Sequence, residues 1–481
     1  MSGIYENNSD PFQTELDRIF NAQQRAFRAN PMPSAKERIA DLKILEKGIL
    51  KYREDFTKAL NQDFGCRSED ESLLAEIIPT IEDIRYIRKN VKKWMKPSPR
   101  KVGILFAPAR AKVFYQPLGV VGIITPWNYP LYLSLGPLAG VLGAGNRAMV
   151  RMSKNTPYTA EVMKKMIREC FKEDHVTVMA GDEGSGSAFS RKKWDHLVFT
   201  GSTEVGRLIM KAAAGNLTPL TLELGGKSPV IINAKFPMKD AVPSIAFGKL
   251  FNMGQTCVAP DYMLCPRSGV TEFVTLFKEH VKKMYPAMLN NPQYTSIIND
   301  QEYGRLQAMI ADASSKGAEI VYVNPAGDSF ENSRKMPPAL ILNVNDDMRV
   351  MQEEIFGPLM SVIPYNSLDD ALKFVNDRPR PLALYYFDYN EDNISYVINH
   401  THSGGMLIND ILVHVAQDDM PFGGIGESGM GQYHAHEGFL AFSKAKGVLM
   451  KSKINSGKLV YPPYGKFIHN LLYRLFLRNG N

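Results

Sequence analysis

Cysteine, tryptophan and long apolar runs are scarce in this chain. Four of its 481 residues are cysteine and three are tryptophan. The cysteines (Cys66, Cys170, Cys257 and Cys265) form no CxxC pair and have no histidine at metal-ligand spacing. This pattern argues against a metal site and fits a reduced, cytoplasmic setting. No apolar run approaches the roughly 18 residues of a membrane span, and the polar N-terminus lacks the apolar core of a signal peptide.

Acidic residues are slightly outnumbered, with 50 Asp and Glu against 57 Lys and Arg, for a net charge of +7. The basic residues between Arg88 and Lys101 are not regularly interleaved with aromatic rings. We interpret them as a solvated helix face and expect no nucleic-acid partner. The hydrophobic fraction of 44% and the charged fraction of 22% are those of an ordinary globular enzyme.

The periodicity of apolar residues changes along the chain. From Asp10 to about Met95 they recur every three or four residues, which predicts helices. Residues Val102 to Gln116 read as two short strands with a turn near Pro108, a hairpin that is a candidate subunit contact. Apolar strand-like runs then alternate with helical stretches, and we place these strands at Val120–Ile124, Ala148–Arg151, Val176–Met179 and His196–Thr200. This alternation predicts an α/β fold with a parallel, doubly wound sheet.

Ligands of such sheets bind at the carboxyl ends of the strands, and Asn128, Arg151 and Gly201 lie at or just past such ends. A second α/β stretch follows, from about residue 225 to residue 409. Residues Phe467 to Leu477 form a short amphipathic helix candidate, which either packs on the body or touches a membrane surface.

A thiol and a carboxylate suggest covalent chemistry. Cys257 lies in a short loop-like run between Gly254 and Pro260, and Glu223 ends an apolar strand-like run. A thiolate nucleophile and a water-activating carboxylate are the two parts that covalent hydrolysis needs. Taken alone, Cys257 is more simply explained as a small buried hydrophobic residue.

Three further features are weak individually. Asn128 is a possible oxyanion donor, although a turn residue between two prolines explains it equally well. Residues Gly201 to Gly206 offer a strand-to-helix junction for a pyrophosphate, but they lack the GxGxxG fingerprint. Glu354 supplies a carboxylate for a ribose, and Phe356 supplies an aromatic ring that can pack beside another ring.

Together, and in this order, these motifs resemble the aldehyde dehydrogenase superfamily from about residue 15 to residue 447. The motifs are Pro126-Trp127-Asn128, Phe199-Thr200-Gly201-Ser202-Thr203, Leu222-Glu223-Leu224-Gly225-Gly226-Lys227, Gly254-Gln255-Thr256-Cys257, Glu354-Ile355-Phe356-Gly357-Pro358 and Pro421-Phe422-Gly423-Gly424. Runs such as Asn409-Asp410-Ile411-Leu412-Val413-His414 and Gly429-Met430-Gly431-Gln432-Tyr433-His434 are similar to the class 3 branch, and especially to bacterial coniferyl aldehyde dehydrogenases.

The resemblance implies a domain organisation. A Rossmann-like cofactor domain would comprise residues 1–99 and 117–224, and the catalytic domain residues 225–408. Residues 100–116 and 409–447 would form an oligomerisation or bridging element, followed by a tail at 448–481. A homodimer is expected, with the hairpin and the strands after Asn409 forming the shared sheet.

The resemblance also implies a mechanism and a cofactor, NAD or NADP. The Cys257 thiolate would attack the aldehyde carbon, while the Asn128 amide and the Cys257 N–H hold the oxyanion. Hydride transfer would leave a thioester, which water activated by Glu223 would hydrolyse to the acid. Phe356 would lie by the nicotinamide, Glu354 by its ribose, Ser202 by the pyrophosphate and Val205 by the adenine. The remaining cofactor contacts implied are Thr125, Pro126, Trp127, Arg151, Lys154, Gly201 and Leu224.

Two residues depart from the family pattern. Arg151 and Lys154 stand where the family usually has lysine and glutamate. A glutamate there would repel a 2′-phosphate, whereas Arg and Lys attract one. We therefore expect NADP to be used at least as well as NAD, unless both side chains point to solvent.

Three alternatives remain at this point. A CoA-acylating enzyme would generally lack the Glu223 base, and a binding protein on a retired enzyme scaffold would not need intact Cys257, Glu223 and Asn128. A cysteine protease would need a histidine partner, and none stands out. The substrate is open between cinnamyl-type aldehydes such as coniferaldehyde and medium-chain aliphatic ones, with an entry formed by Trp127, Tyr129, Tyr433 and Phe442.

Overall fold

The computed structural model describes residues 11–181, 184–453 and 456–477. Its strands, in chain order, are β1 Ser98–Arg100, β2 Arg110–Pro117, β3 Val120–Ile124, β4 Arg147–Arg151, β5 Val176–Met179, β6 His196–Gly201, β7 Leu220–Leu224, β8 Pro229–Ile232, β9 Tyr262–Pro266, β10 Glu319–Tyr322, β11 Ala339–Leu342, β12 Leu359–Tyr365, β13 Ala383–Phe387, β14 Gly405–Ile408, β15 Gly429–Met430 and β16 Ser443–Met450.

The α-helices connect these strands and cover the two larger sheets. In chain order they are α1 Pro11–Ala29, α2 Ala35–Lys51, α3 Arg53–Phe64, α4 Glu69–Ser72, α5 Ile78–Trp94, α6 Tyr132–Gly143, α7 Pro157–Cys170, α8 Ser185–Ser190, α9 Thr203–Ala214, α10 Met238–Leu250, α11 Val270–Met284, α12 Asp300–Ser315, α13 Arg349–Gln352, α14 Leu368–Asn376, α15 Glu391–His400, α16 Ala435–Ala441 and α17 Phe467–Phe476.

The N-terminal helical block is present as predicted, from α1 to the end of α5. Its one irregular turn is a π-helical segment, Leu73–Ile77, between α4 and α5. Pro79 lies just after this segment, in the first turn of α5, and its missing N–H interrupts the series of helical hydrogen bonds there. The wider π-turn carries Glu76, which is fully buried, so this irregularity directs a carboxylate into the interior.

The six-stranded sheet confirms the predicted doubly wound topology. Its strand order is β15-β7-β6-β3-β4-β5, and every pair is parallel except the short antiparallel contact of β15 with β7. All five residues of β3 are buried, as expected of a strand covered on both faces. Because the strands run in parallel, Ile124, Arg151, Gly201 and Leu224 end at one edge of the sheet.

The second sheet has seven strands in the order β10-β11-β12-β9-β8-β13-β14. Only β10 is antiparallel to its neighbour. An apolar cluster on this sheet includes Met253 and Val258, on either side of Cys257, and Cys257 itself packs against it. The second core thus supports the loop that carries the candidate nucleophile.

The predicted hairpin at residues 102–116 has different bounds. Its first strand is the earlier Ser98–Arg100, which pairs antiparallel with β2, while Ile104–Phe106 forms a 3₁₀ turn instead of a strand. Pro99 is tolerated because β1 is an edge strand. After residue 409, only β16 joins this sheet, along the whole length of β2, and β15 joins the six-stranded sheet.

The predicted C-terminal helix is present as α17. It packs mainly against the preceding turn, where His469 lies 3.1 Å from the carbonyl oxygen of Leu459, and it leaves Phe467 and Leu475 exposed. Within the described residues no helix combines the length and apolar character needed to cross a membrane.

Candidate active site

The loop that carries Cys257 has an unusual backbone. After α10 ends at Leu250, three consecutive residues are left-handed: Asn252 (φ 49°), Met253 (φ 57°) and Gly254 (φ 71°). A Cβ atom at Gly254 would lie 2.4 Å from the carbonyl oxygen of Gly357, so only glycine fits there. Strain of this kind persists where surrounding contacts hold it, and it clusters at functional sites.

Gln255 supplies such contacts from a fully buried position. Its Nε2 donates to the carbonyl oxygens of Asn252 and Ser296, at 3.1 Å each. Its Oε1 accepts the Ile298 N–H at 2.9 Å. One of these hydrogen bonds closes the turn before Cys257, and the other two fix it to the neighbouring loop at residues 296–298.

Cys257 is half-buried at the end of this turn, enclosed by protein atoms but with an edge that solvent reaches. The enclosure raises the pKa of its thiol to about 12, and the nearby carboxyls of Glu354 and Glu223 raise it further. The backbone N–H groups of Cys257 and Val258 oppose this shift. Without a neighbouring positive charge, the thiol is therefore neutral at pH 7.

Glu223 lies near the end of β7, opposite Thr200 of β6. Its side chain is buried and neither carboxyl oxygen has a hydrogen-bond partner among the described residues. Burial raises its pKa well above the usual value, and the backbone N–H of Gly424 opposes the shift. A partnerless buried carboxyl costs stability, and a raised pKa is typical of a general base.

Asn128 follows β3 and is buried. Its Nδ2 donates to the carbonyl oxygen of Gln255 at 3.1 Å. Its own carbonyl oxygen accepts from Asn252 Nδ2 at 3.0 Å. An amide nitrogen has two donors, so one N–H of Asn128 remains for a ligand beside the Cys257 loop.

Helix α9 begins directly after β6, and its first turn has features of a dinucleotide-binding site. Ser202 caps the helix by accepting the Val205 N–H at 3.3 Å. Val205 exposes an apolar side chain beside this start. Gly206 packs tightly on Leu224, since a Cβ at Gly206 would lie 2.5 Å from the leucine. Free N–H groups at a helix start bind phosphates, so these residues fit NAD or NADP.

Residues 354–356 approach the backbone that follows β7. A Cβ atom at Gly225 would lie 1.9 Å from Glu354 Oε2, so the carboxylate packs directly on the Gly225 backbone. Burial raises the pKa of Glu354 to about 8, and Asp261 contributes to the shift. Phe356 adopts a positive φ of 51°, and its ring meets Trp127 edge-on with centroids 5.3 Å apart.

The other predicted cofactor residues lie at the same sheet edge. Both the N–H and the Oγ1 of Thr125 bond to the carbonyl oxygen of Arg151, at 3.1 and 3.3 Å, just before Pro126. The Arg151 guanidinium donates to Ser185 Oγ through Nε and Nη2, at 3.0 and 2.9 Å. Lys154 is exposed. The alternative that both basic side chains point to solvent therefore does not hold for Arg151.

Lys227 was not singled out from the sequence, although it lies inside a quoted motif. Its Nζ pairs with Asp261 and donates to the carbonyl oxygens of Val350 and Glu353, at 2.7 and 2.9 Å. Asp261 in turn accepts the Ile355 N–H at 2.8 Å. This pair joins the turn after Glu223 to the segment that carries Glu354, and only the three-dimensional structure reveals it.

The predicted aromatic entry is partly wrong. Phe442 is fully buried in the core of the cofactor-side sheet and packs edge-on against His196, and Tyr433 belongs to the same core. Tyr129 lies where expected, with its hydroxyl 2.6 Å from Thr256 Oγ1. It clusters with Tyr132, which sequence reasoning missed.

Known proteins resemble this chain in sequence and in overall fold. The pattern of the aldehyde dehydrogenase family matches residues 9–448. A probable coniferyl aldehyde dehydrogenase of Pseudomonas aeruginosa is 54% identical over 98% of this chain and 99% of its own length. The substrate-bound AldH of Staphylococcus aureus superposes with a TM-score of 0.89 at 36% identity, over 95% of this chain and 99% of that one. A Mycobacterium tuberculosis aldehyde dehydrogenase complexed with NAD+ has a TM-score of 0.83 at 28% identity, covering 92% and 91%.

These matches span almost the whole chain and confirm the resemblance to the class 3 and coniferyl branch. The chain therefore belongs to the aldehyde dehydrogenase family and is an NAD(P)-dependent oxidoreductase that converts an aldehyde to the carboxylic acid.

Proposed function

We propose that Cys257, Glu223 and Asn128 carry out this oxidation through a thiohemiacetal and a thioester on Cys257. One observation supports the assignment above all. Among the residues that the structure describes, none forms a hydrogen bond with the Glu223 carboxyl, which lies close enough to Cys257 to raise the pKa of the thiol. A nucleophile beside an uncommitted base is what successive acylation and hydrolysis need.

Each residue has a separate task. The Cys257 sulfur attacks the aldehyde carbon, and the free N–H of Asn128 with the Cys257 backbone N–H stabilises the oxyanion. When bound, the oxidised nicotinamide supplies a hydride acceptor and a positive charge near the thiol. Glu223 then takes a proton from water, which attacks the thioester carbon and expels the Cys257 thiolate. Burial raises the pKa of Glu223, so its carboxylate is a stronger base than an ordinary one.

We propose an aromatic aldehyde of the cinnamyl type, such as coniferaldehyde, as the substrate. The cluster of Tyr129 and Tyr132 with Leu133 and Val415 gives an apolar, aromatic wall near Thr256, and the Pseudomonas relative carries a coniferyl name. A medium-chain aliphatic aldehyde would also fit an apolar wall. Single contacts in such pockets discriminate by only about 1–3 kcal/mol.

A panel of aldehydes tests this substrate class. We expect kcat/KM for coniferaldehyde and cinnamaldehyde to exceed that for hexanal and octanal by about tenfold or more. Higher values for the aliphatic aldehydes would refute the aromatic assignment. Acid formation should proceed without coenzyme A, and an absolute requirement for it would instead support the acylating alternative.

We also propose a homodimer in the cytoplasm that uses NADP at least as well as NAD. Strands β1, β2 and β16 form a separate three-stranded sheet suited to a subunit contact, and the four cysteines are free thiols. The half-buried Arg151 guanidinium and the nearby Lys154 provide the positive charge that a 2′-phosphate prefers. Sedimentation equilibrium would detect the dimer, and a monomer at micromolar concentration would refute it.

A further inference from the structure

Beneath the active-site loops lies a buried group of charged side chains that the chemistry above does not use. Arg67 and Glu76 are both fully buried, and Glu71 is nearly so. Arg67 Nη1 donates to Glu76 Oε1 at 2.6 Å, and Arg67 Nε lies 3.6 Å from Glu71 Oε1. Burying a charge costs free energy unless the charge is paired and hydrogen-bonded. The partners of these three side chains therefore indicate which segments they stabilise.

Glu76 holds the segment that follows Asn128. Its Oε2 accepts the N–H groups of Leu131 and Tyr132, at 2.7 and 3.1 Å. These residues begin helix α6, where a negative charge is favoured by the helix dipole. The carboxylate therefore fixes the start of α6, three residues after the oxyanion donor.

Arg67 holds the same segment from the other side. Its Nη1 also approaches the carbonyl oxygen of Asn128 at 3.4 Å. Its guanidinium lies between the rings of Phe64 and Tyr129, at 4.8 and 5.1 Å from their centroids, where cation–π attraction adds to the ion pair. The side chain is thus confined from several directions.

Glu71 extends the contact to the nucleophile loop. Its carboxylate accepts from Thr295 Oγ1 at 3.2 Å and interacts with the backbone N–H of Asn252. Asn252 also donates its side-chain amide to the carbonyl oxygen of Asn128. One ionic group therefore touches both segments that build the site, the oxyanion loop and the turn before Cys257.

We propose that Arg67 and Glu76 are positioning residues for the reaction, which set the place of the Asn128 amide relative to Cys257. Neither residue is assigned contact with substrate or cofactor. The inference rests on the role proposed for Asn128, and it assigns a functional task to an N-terminal segment that lies far from Cys257 in sequence. An oxyanion donor displaced by a fraction of an ångström stabilises the transition state less.

A double-mutant cycle tests this role, with single-turnover NAD(P)H formation as the readout. We expect Glu76→Gln to slow this step about 10- to 100-fold, while KM for the aldehyde changes less than about threefold. Asn128→Ala should slow it about 10²- to 10³-fold. In the Asn128→Ala background, Glu76→Gln should change the rate less than about twofold, because there is no amide left to position.

Asp63→Asn is the matched control. Asp63 is a buried carboxylate that accepts the N–H groups of Tyr158 and Thr159 at the start of α7, at 3.0 and 2.9 Å. Within the described part of the chain its side chain bonds to α7 and not to residues 128–132 or 252–257, so its loss should lower thermal stability without slowing the single turnover more than about twofold. Arg67→Lys keeps the charge and provides a second variant if Glu76→Gln does not fold; it should behave as Glu76→Gln does in the cycle.

The outcomes separate the two hypotheses. Effects that multiply in the double variant, or a control that slows turnover as much as Glu76→Gln, would overturn the positioning role. An Asn128→Ala variant with an unchanged rate would overturn instead the role proposed for Asn128 itself. A non-multiplying cycle with an inert control supports the inference.

Discussion

Replacing Glu223 with glutamine removes the proposed base and keeps its volume. Attack by Cys257 and hydride transfer come before thioester hydrolysis, the step that uses the base. Glu223→Gln should therefore still form about one NAD(P)H per subunit. Thioester hydrolysis then lacks its base, and steady-state turnover should fall about 10²- to 10⁴-fold. Stopped-flow absorbance at the reduced cofactor's band would show a burst followed by a slow phase.

The same substitution should stabilise the fold, with a magnitude set by pH. Glu223 has a raised pKa in the folded protein because of burial, and an ordinary value of about 4.5 when unfolded. Above pH 4.5 the folded state thus holds a proton that the unfolded state has released, so stability falls as pH rises towards the folded pKa. The loss is about 1.4 kcal/mol per pH unit, or at most about 3 kcal/mol between pH 4.5 and pH 7.

Urea unfolding at pH 4.5 and pH 7.5 measures this difference. Glu223→Gln should match the wild type at the lower pH and exceed its free energy of unfolding by up to about 4 kcal/mol at the higher. The exposed residue Glu391 on α15 gives a control, and Glu391→Gln should change stability little at either pH. A Glu223→Gln variant with normal turnover, or with a stability difference independent of pH, would refute the reasoning.

Three further predictions concern the cofactor and the thiol. Lys154→Glu should lower the ratio of kcat/KM for NADP to that for NAD about tenfold. The control variant Lys239→Glu, on the exposed face of α10, should leave this ratio unchanged. An unaltered ratio for Lys154→Glu would contradict the proposed use of NADP. Gly225→Ala places a Cβ 1.9 Å from Glu354 Oε2 and should raise KM for the cofactor about tenfold with little change in Tm, whereas an unchanged KM would show that Glu354 does not hold it. The pKa of about 12 for Cys257 means that iodoacetamide alkylation of the cofactor-free enzyme should quicken about tenfold per pH unit from pH 7 to pH 10, and a plateau below pH 9 would contradict it.

The bounds of buried strands could be predicted from the sequence more accurately than those of short strands at a sheet edge. Strand β5 has the bounds that its apolar run predicted, because buried parallel strands are continuously hydrophobic. Strand β1 was missed because Ser98-Pro99-Arg100 is short, polar and contains proline, which suits an exposed edge but gives no periodic signal.

The candidate site likewise combines residues that the sequence predicted with residues that it did not. The positions of Cys257, Glu223 and Asn128 follow from motifs, and the structure brings their loops together. The group of Arg67, Glu71 and Glu76 gave no signal, since charged residues in a short connection or on a helix ordinarily face water and burial cannot be read from one sequence. The prediction that Phe442 lines the entry was wrong for the converse reason. Phe442 is close to the site motifs in sequence order, but its ring is buried in the core.

The acylation of Cys257 can be observed most directly by mass spectrometry. Glu223→Gln enzyme should be mixed with coniferaldehyde and oxidised cofactor, quenched in acid after the burst and digested. The account predicts an acyl group in thioester linkage on Cys257, at about one per subunit. An acyl group on another residue, or none at a time when NAD(P)H has formed, would contradict it.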